Sequence, residues 1–121
     1  SQMAEEFLRK EGFEVISAGT KLSGPEQPLG QLRPALDNVL EVMKELGFDI
    51  SNNIRKSVTP EMVEWADKVI LVVDDTDPVP QYVLDSDKVI RWNVLDPKGQ
   101  DIEFTRKVRD QIIDLVRDFG Q

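Results

Sequence analysis

The sequence predicts a three-layer α/β domain built around a short, mostly parallel sheet. Stretches with helical spacing alternate along the chain with short apolar runs, which is the order expected of such a domain. One run, residues 69–73, consists of five consecutive apolar residues, VILVV. A strand without a polar face is typical of a parallel sheet that helices cover on both sides. The chain has 121 residues and no internal repeat, so we predict one domain over residues 1–121.

Four helices are predicted from apolar residues at helical spacing and from residues that favour helix ends. The first covers residues 2–11. The second begins at Pro34 and stops before Gly47, since proline suits the first turn of a helix and glycine its end. The third is short and begins at Thr59, and the last covers residues 101–119.

Three strands are predicted between these helices, over residues 13–18, 69–73 and 89–95. Each is a short apolar run with β-branched residues, bounded by residues that favour turns. Residues 20–32 contain two prolines and two glycines with little periodicity. We predict a long surface loop there.

The composition excludes several kinds of chemistry for the chain as written. It contains no cysteine and no histidine, so it has no disulfide, no thiolate zinc site and no thiol nucleophile of its own. We predict no metal and no cofactor. The formal charge of −8 repels nucleic acid and anionic membrane surfaces. No apolar run approaches the roughly 18 residues of a membrane span, and we predict a cytoplasmic protein.

Two acidic motifs follow predicted strands, at the edge where open α/β sheets usually bind ligands. Asp74, Asp75 and Asp77 come after the apolar strand, but no glycine-rich lysine loop accompanies them, as a nucleotide hydrolase would require. We interpret them mainly as solvated turn residues. Asp96 and Pro97 follow the next strand. Asp96 is either an ordinary turn residue or a general acid for a leaving-group oxygen within hydrogen-bond reach.

Three further stretches carry a family resemblance when they are read together. They are residues 1–5 (SQMAE), residues 16–20 (ISAGT) and a stretch that runs from Arg91 and Trp92 through Asp96 and Pro97 into the terminal helix. They resemble, in order, the helix after the phosphate loop, the end of the second strand and the general-acid loop of one superfamily. This is the low-molecular-weight protein tyrosine phosphatase superfamily, including its arsenate reductase branch. With the turn at residues 47–51, the resemblance spans nearly the whole chain.

The resemblance implies a fold and a site. The implied fold is three-layer α/β/α, with a short parallel four-stranded sheet and flavodoxin-like layering. Its first strand and phosphate loop would lie before Ser1. In this family a cysteine, five further residues and an arginine form a loop that holds a tetrahedral oxyanion at a helix N-terminus. Ser1 would then be a substrate-binding residue that steadies the thiolate, and Asp96 would be the general acid.

The resemblance leaves the reaction open. The implied substrates are phosphotyrosine or another phosphate-like oxyanion, and the implied reactions are phosphomonoester hydrolysis and arsenate reduction. Thioredoxin-coupled reductases carry two more cysteines near the third strand, where this chain has Val73, Val79 and their neighbours. That relay is absent from the chain as written, so a reductase would have to use a small-molecule thiol. The alternative is a non-catalytic binding module of the same fold.

The strand count predicts an empty position in the sheet. If the first strand is missing, residues 13–18 and 69–73 face a slot one strand wide. Unpaired backbone groups would then line the slot. We predict that the chain is unstable, or self-associates through this slot, unless another segment fills it. Direct pairing of residues 13–18 with 69–73 would contradict the prediction.

Overall fold

The structure, a computed structural model, describes residues 2–19, 27–28, 37–73, 78–97 and 99–121. Its helices are α1 (Gln2–Lys10), α2 (Asp37–Lys44), α3 (Pro60–Trp65), α4 (Gln81–Leu84) and α5 (Ile102–Phe119). Its strands are β1 (Gln27–Pro28), β2 (Ile54–Arg55), β3 (Val69–Val73) and β4 (Val89–Asn93). Two small sheets result, one parallel and one antiparallel.

Strands β3 and β4 form the parallel sheet, in register from Val69 opposite Val89 to Val73 opposite Asn93. The connection between them contains α4, because parallel strands need a crossover. Strands β1 and β2 form a separate antiparallel pair of two residues each. Within the described residues, β3 pairs with β4 alone.

The two faces of the parallel sheet are covered by different helices. Ile70 and Val72 pack against the main core, to which α1, α2 and α5 contribute. Leu71 instead forms a smaller cluster with Val83 of α4 and with half-buried Val63 of α3. Successive side chains of a strand point to opposite faces, so the unbroken apolar run serves both layers. The predicted three-layer α/β fold is confirmed.

The main core is most tightly closed where α2 packs against α5. Five of its residues are less than 2% exposed: Val42, Met43, Ile50, Thr105 and Ile112. Thr105 is polar, but its Oγ1 donates to the Asp101 carbonyl at 3.0 Å. Burial of this hydroxyl therefore leaves no unsatisfied donor.

Two arginines of α5 fasten that helix to the end of α2 through Glu45. Arg106 Nη2 lies 2.7 Å from Glu45 Oε2, and Arg109 Nη1 lies 2.8 Å from Glu45 Oε1. Arg109 also donates to the Val42 carbonyl at 2.9 Å. The hydrogen bond from Arg106 lowers the pKa of Glu45, against partial desolvation and with help from Arg109. The same hydrogen bond raises the pKa of Arg106.

All four predicted helices are present. α1 and α5 end within one residue of the predicted limits, and α2 is described from Asp37 onwards. Thr59 caps α3 by accepting from Met62 N at 3.3 Å. The strand predicted over residues 89–95 ends at Asn93. Asn93 already lies opposite the last residue of β3, so the ladder goes no further.

The strand predicted over residues 13–18 is wrong. This segment has no strand assignment, and the parallel bridge beside it joins Gly19 to Ser57. Its side chains favour a strand, but a strand also requires a partner with which to exchange backbone hydrogen bonds. The sequence also missed α4, β1 and β2, because elements of two to four residues are too short to show periodicity.

Candidate active site

The direction of residues 13–18 relative to β3 decides which groups share an edge of the sheet. At the far end of the segment, Gly19 N donates to Lys56 O at 2.7 Å and Val58 N donates to Gly19 O at 3.0 Å. The Val58 carbonyl accepts from Tyr82 Oη at 3.0 Å. Tyr82 belongs to α4, the first helix after β3. Gly19 therefore lies near the carboxyl edge of the parallel sheet.

The opposite edge is fixed by independent contacts. Lys88, just before β4, places Nζ 3.0 Å from the Val63 carbonyl and 3.1 Å from the Glu64 carbonyl. The last turn of α3 therefore lies at the amino edge. Phe119, at the end of α5, packs on Phe13 with ring centroids 5.2 Å apart. Residues 13–18 thus run from the amino edge to the carboxyl edge, parallel to β3.

Helix α1 runs in the opposite direction beside this segment. Phe13 N donates to the Leu8 carbonyl at 3.2 Å, whereas Ser17 N donates to Glu5 Oε1 at 3.1 Å. The start of α1 is therefore at the carboxyl edge of the sheet. The first backbone N–H groups of a helix have no partner within the helix, and they favour an anion together with the helix dipole.

Gln2 opens α1 at this edge. Its Nε2 lies 3.5 Å from the Ile54 carbonyl. Its Oε1 is buried and makes no hydrogen bond to any described residue. Most buried side-chain acceptors in proteins are paired with a donor, so this oxygen is an exception among the described residues.

Asp96 lies on the loop that leaves β4 at the same carboxyl edge. Val94 is buried, whereas Asp96 is exposed. The loop is anchored by Gln100, whose N donates to Pro97 O at 3.0 Å and whose carbonyl accepts from Asn38 Nδ2 at 3.0 Å. Asp96 is thus presented to solvent on a loop that is held from both sides.

The loop ends at the N-terminus of α5. Asp101 caps this helix by accepting from Phe104 N at 2.8 Å. Gly99 precedes it with a φ of +80°, a conformation that glycine adopts without strain. Sequence reasoning named Asp96 but missed Asn38 and Asp101 as residues that hold its loop. An acidic residue before a helical pattern is a detectable capping signal, whereas nothing in the sequence marks Asn38.

The structure brings Asp96 and the start of α1 to one edge of the sheet. It does not place the other predicted site residues: Ser1, Asp74, Asp75 and Asp77 lie outside the described residues. In the described part of the chain, no three acidic residues form a group that could hold a metal ion. None of the described helices is long and apolar enough to cross a membrane.

The start of α1 and the acidic loop after β4 thus lie at the carboxyl edge of an α/β sheet, where open α/β domains usually bind their ligands. No family model matches the chain. Arsenate reductase from Staphylococcus aureus strain N315 is 30% identical over 115 residues, covering 93% of this chain and 80% of the relative. The chain therefore belongs to the low-molecular-weight protein tyrosine phosphatase superfamily, which includes such arsenate reductases.

Solved structures agree with this membership. A low-molecular-weight protein tyrosine phosphatase from T. tengcongensis superposes with a TM-score of 0.77 at 26% identity, covering 98% of this chain and 88% of that structure. An arsenate reductase in the phosphate-binding state superposes with a TM-score of 0.75 at 27% identity, covering 99% and 86%. These neighbours do not favour the alternative of a non-catalytic binding module.

Proposed function

We propose that this chain is the greater part of an enzyme that hydrolyses phosphomonoesters, with phosphotyrosine as the implied substrate class. The observation that carries the proposal is the shared edge of the sheet, where the start of α1 and Asp96 both lie. In this proposal, the family's first strand and its cysteine–arginine loop precede Ser1. The helix start then holds the phosphoryl oxygens, and Ser1 steadies the thiolate. A cytoplasmic location is part of the same proposal.

Asp96 is assigned the transfer of one proton in each half of the reaction. In the first half, the thiolate forms a bond to phosphorus while the bond to the leaving oxygen breaks. Asp96 gives its proton to that oxygen. In the second half, the oxygen of a water molecule bonds to phosphorus while the phosphorus–sulfur bond breaks, which releases phosphate and returns the thiolate, and the Asp96 carboxylate accepts the proton of the water. The anchored loop suits this role, since a general acid must stay within hydrogen-bond reach of the leaving group.

The proposal is tested first on the gene upstream of Ser1. We expect codons for a cysteine and an arginine separated by five residues. Their absence would contradict the enzyme assignment. The 121-residue chain alone, which has no cysteine, should not hydrolyse p-nitrophenyl phosphate, because the covalent step has no nucleophile. Turnover that is lost on mutating a residue of the chain would contradict this expectation.

In the complete gene product, Asp96→Asn should lower the rate with phenyl phosphate by about 10² to 10⁴ fold, because asparagine cannot give up a proton. The loss should be smaller with p-nitrophenyl phosphate, whose leaving group is already stable as an anion. Asp114→Asn is the matched control, since Asp114 lies on α5 and is exposed. Equal losses with both substrates would assign Asp96 a structural role.

Arsenate reduction is the second candidate, and the curated relatives favour it because their names are those of arsenate reductases. Reducing arsenate to arsenite takes two electrons, which two thiols supply when they join as a disulfide. The chain has no cysteine. A small-molecule thiol such as glutathione must therefore replace the two relay cysteines that thioredoxin-coupled reductases carry near the third strand. The measurement is arsenate-dependent oxidation of glutathione by the complete gene product. No oxidation above the protein-free rate would exclude this candidate.

A further inference from the structure

The loop that carries Asp96, residues 94–101, is held to α5 at both of its ends and is called the acid loop below. Just before it, the carbonyl of Asn93 accepts from Gln111 Nε2 of α5 at 3.3 Å. At its end, Asp101 caps the first turn of α5. These contacts fix where the chain leaves the sheet and where it joins the helix. The position of the residues between them depends on other contacts.

Burial does little to hold the middle of the acid loop. Leu95 is 58% exposed, and Asp96 and Gln100 are exposed as well. Of the loop residues whose side chains the structure describes, Val94 alone is fully buried. A segment with few buried apolar contacts has low local stability. Hydrogen bonds and backbone stiffness must therefore set the position of Asp96.

A turn directly follows Asp96 and is closed by one hydrogen bond. Gln100 N donates to the Pro97 carbonyl at 3.0 Å. The ring of Pro97 fixes its own φ and also restricts the backbone of the residue before it, which is Asp96. Asp96 therefore moves together with the turn. A contact that holds the turn also holds the backbone of Asp96.

Asn38 ties this turn to a second helix. Its Nδ2 donates to the Gln100 carbonyl at 3.0 Å, across 62 residues of sequence. Asn38 is half-buried in the first turn of α2, and Val42 and Met43 of the same helix have no exposed surface. Close packing of these side chains makes α2 a rigid support. The hydrogen bond thus fixes the turn after Asp96 relative to the core.

We propose that Asn38 is a positioning residue for the general acid, and this inference rests on the proposed function. Through Gln100 and the turn, Asn38 holds the Asp96 carboxyl within hydrogen-bond reach of the leaving oxygen. Its neutral side-chain amide donates a hydrogen bond but transfers no proton. A misplacement of the reacting groups by about 1 Å can cost about 10²-fold in rate. One hydrogen bond at the turn can therefore control how well Asp96 works.

The same hydrogen bond should contribute little to the stability of the whole fold. Its acceptor belongs to Gln100, which is exposed, so water can replace the amide of Asn38 as the donor. Loss of that amide then frees the turn without leaving a buried group unpaired. A positioning role therefore predicts that activity falls while the urea midpoint stays the same.

The first test uses Asn38→Leu in the complete gene product, because leucine has a similar branched shape and offers no hydrogen bond. We expect kcat/KM to fall about tenfold with phenyl phosphate and less than about twofold with p-nitrophenyl phosphate, whose leaving group needs no proton. Inhibition by inorganic phosphate and the urea midpoint should not change. Lys44→Leu, at the other end of α2 and exposed, is the matched control and should leave both rates unchanged. Equal losses with the two substrates would overturn the proposal.

The second test asks whether Asn38 acts through Asp96. The variant Asp96→Asn has already lost the acid, so adding Asn38→Leu should lower kcat/KM for phenyl phosphate no further. A further loss of about tenfold would show that Asn38 acts on another part of the site. That result would overturn the proposal.

The third test measures the loop without any reaction. In Asn38→Leu, amide hydrogen exchange at Gln100 should be at least about threefold faster than in Lys44→Leu, because the turn opens more often. Exchange at Ile112, in the closed core, should not change. Unchanged exchange at Gln100 would overturn the proposal. Full activity of Asn38→Leu with phenyl phosphate would overturn this inference alone, whereas no hydrolysis by the unmodified gene product would reject the proposed function.

Discussion

Two regions of the molecule differ in how completely their apolar residues are buried. One is the contact between α2 and α5, and the other is the groove that residues 13–18 and β3 line. Where α2 meets α5, Val42 and Met43 have no exposed surface, and Ile112 is 1% exposed. Along the groove beside β3, Ile16 and Trp65 are about half exposed, at 43% and 50%. Both regions are built from apolar residues. The difference therefore comes from what packs against them.

The comparison shows that a helix layer and a strand edge are completed in different ways. The contact of α2 with α5 needs only side chains from two helices that are each internally hydrogen-bonded. The edge of β3 also needs a partner backbone. Apolar composition alone closes the first region and leaves the second open.

The largest expected effect comes from truncating the same residue type in both regions. Ile112→Ala should lower the free energy of unfolding by about 2–5 kcal/mol, because the closed core cannot collapse around the lost volume. Ile70→Ala, beside the groove, should cost roughly half of that or less, because part of its surface is already exposed. Urea unfolding of both variants gives the two values. Equal losses would show that the groove is closed in solution.

A smaller effect is expected from the contact that fastens α5 to α2. Arg109→Met keeps the apolar stem but removes the donors to Val42 O and Glu45, and should cost about 1–3 kcal/mol. Arg117→Met is the matched control. Its partner Asp114 and its own side chain are both more than 60% exposed, so the change should stay within about 0.5 kcal/mol. A similar loss of unfolding free energy in both variants would show that the buried hydrogen bonds of Arg109 do not stabilise the fold.

The smallest effect concerns pH. The two arginines lower the pKa of Glu45 from its ordinary value of 4.5, so the ionised carboxyl stabilises the fold above that value. This contribution is lost as pH falls through the lowered pKa. Urea midpoints of the unmodified chain and of Glu45→Gln should therefore differ at pH 7 and converge below pH 4.5. If the two urea midpoints differ by the same amount at about pH 3 and at pH 7, the ionised Glu45 carboxyl is not the source of the stabilisation.

The helices were predictable because their signals are local. The apolar stripe and end residues of α5 lie within one stretch of chain, and the same is true of Thr59 and Pro60 at the start of α3. Residues 13–18 show the limit of such reasoning. Their β-favouring side chains predict a strand, but without a paired neighbour they form the wall of a groove. The predicted slot itself followed from the family resemblance and not from any local pattern.

The sequence by itself determined the fold class, the absence of cysteine and histidine chemistry within the chain, and Asp96 as the candidate acid. Only the tertiary structure decided that α1 begins at the same edge as Asp96, that Asn38 and Asp101 hold the loop, and that β3 has one partner in the described chain. The physical reason is the range of the interactions involved. A helix satisfies its hydrogen bonds within a few residues, whereas a strand, or a site shared by two elements, depends on residues far apart in the chain.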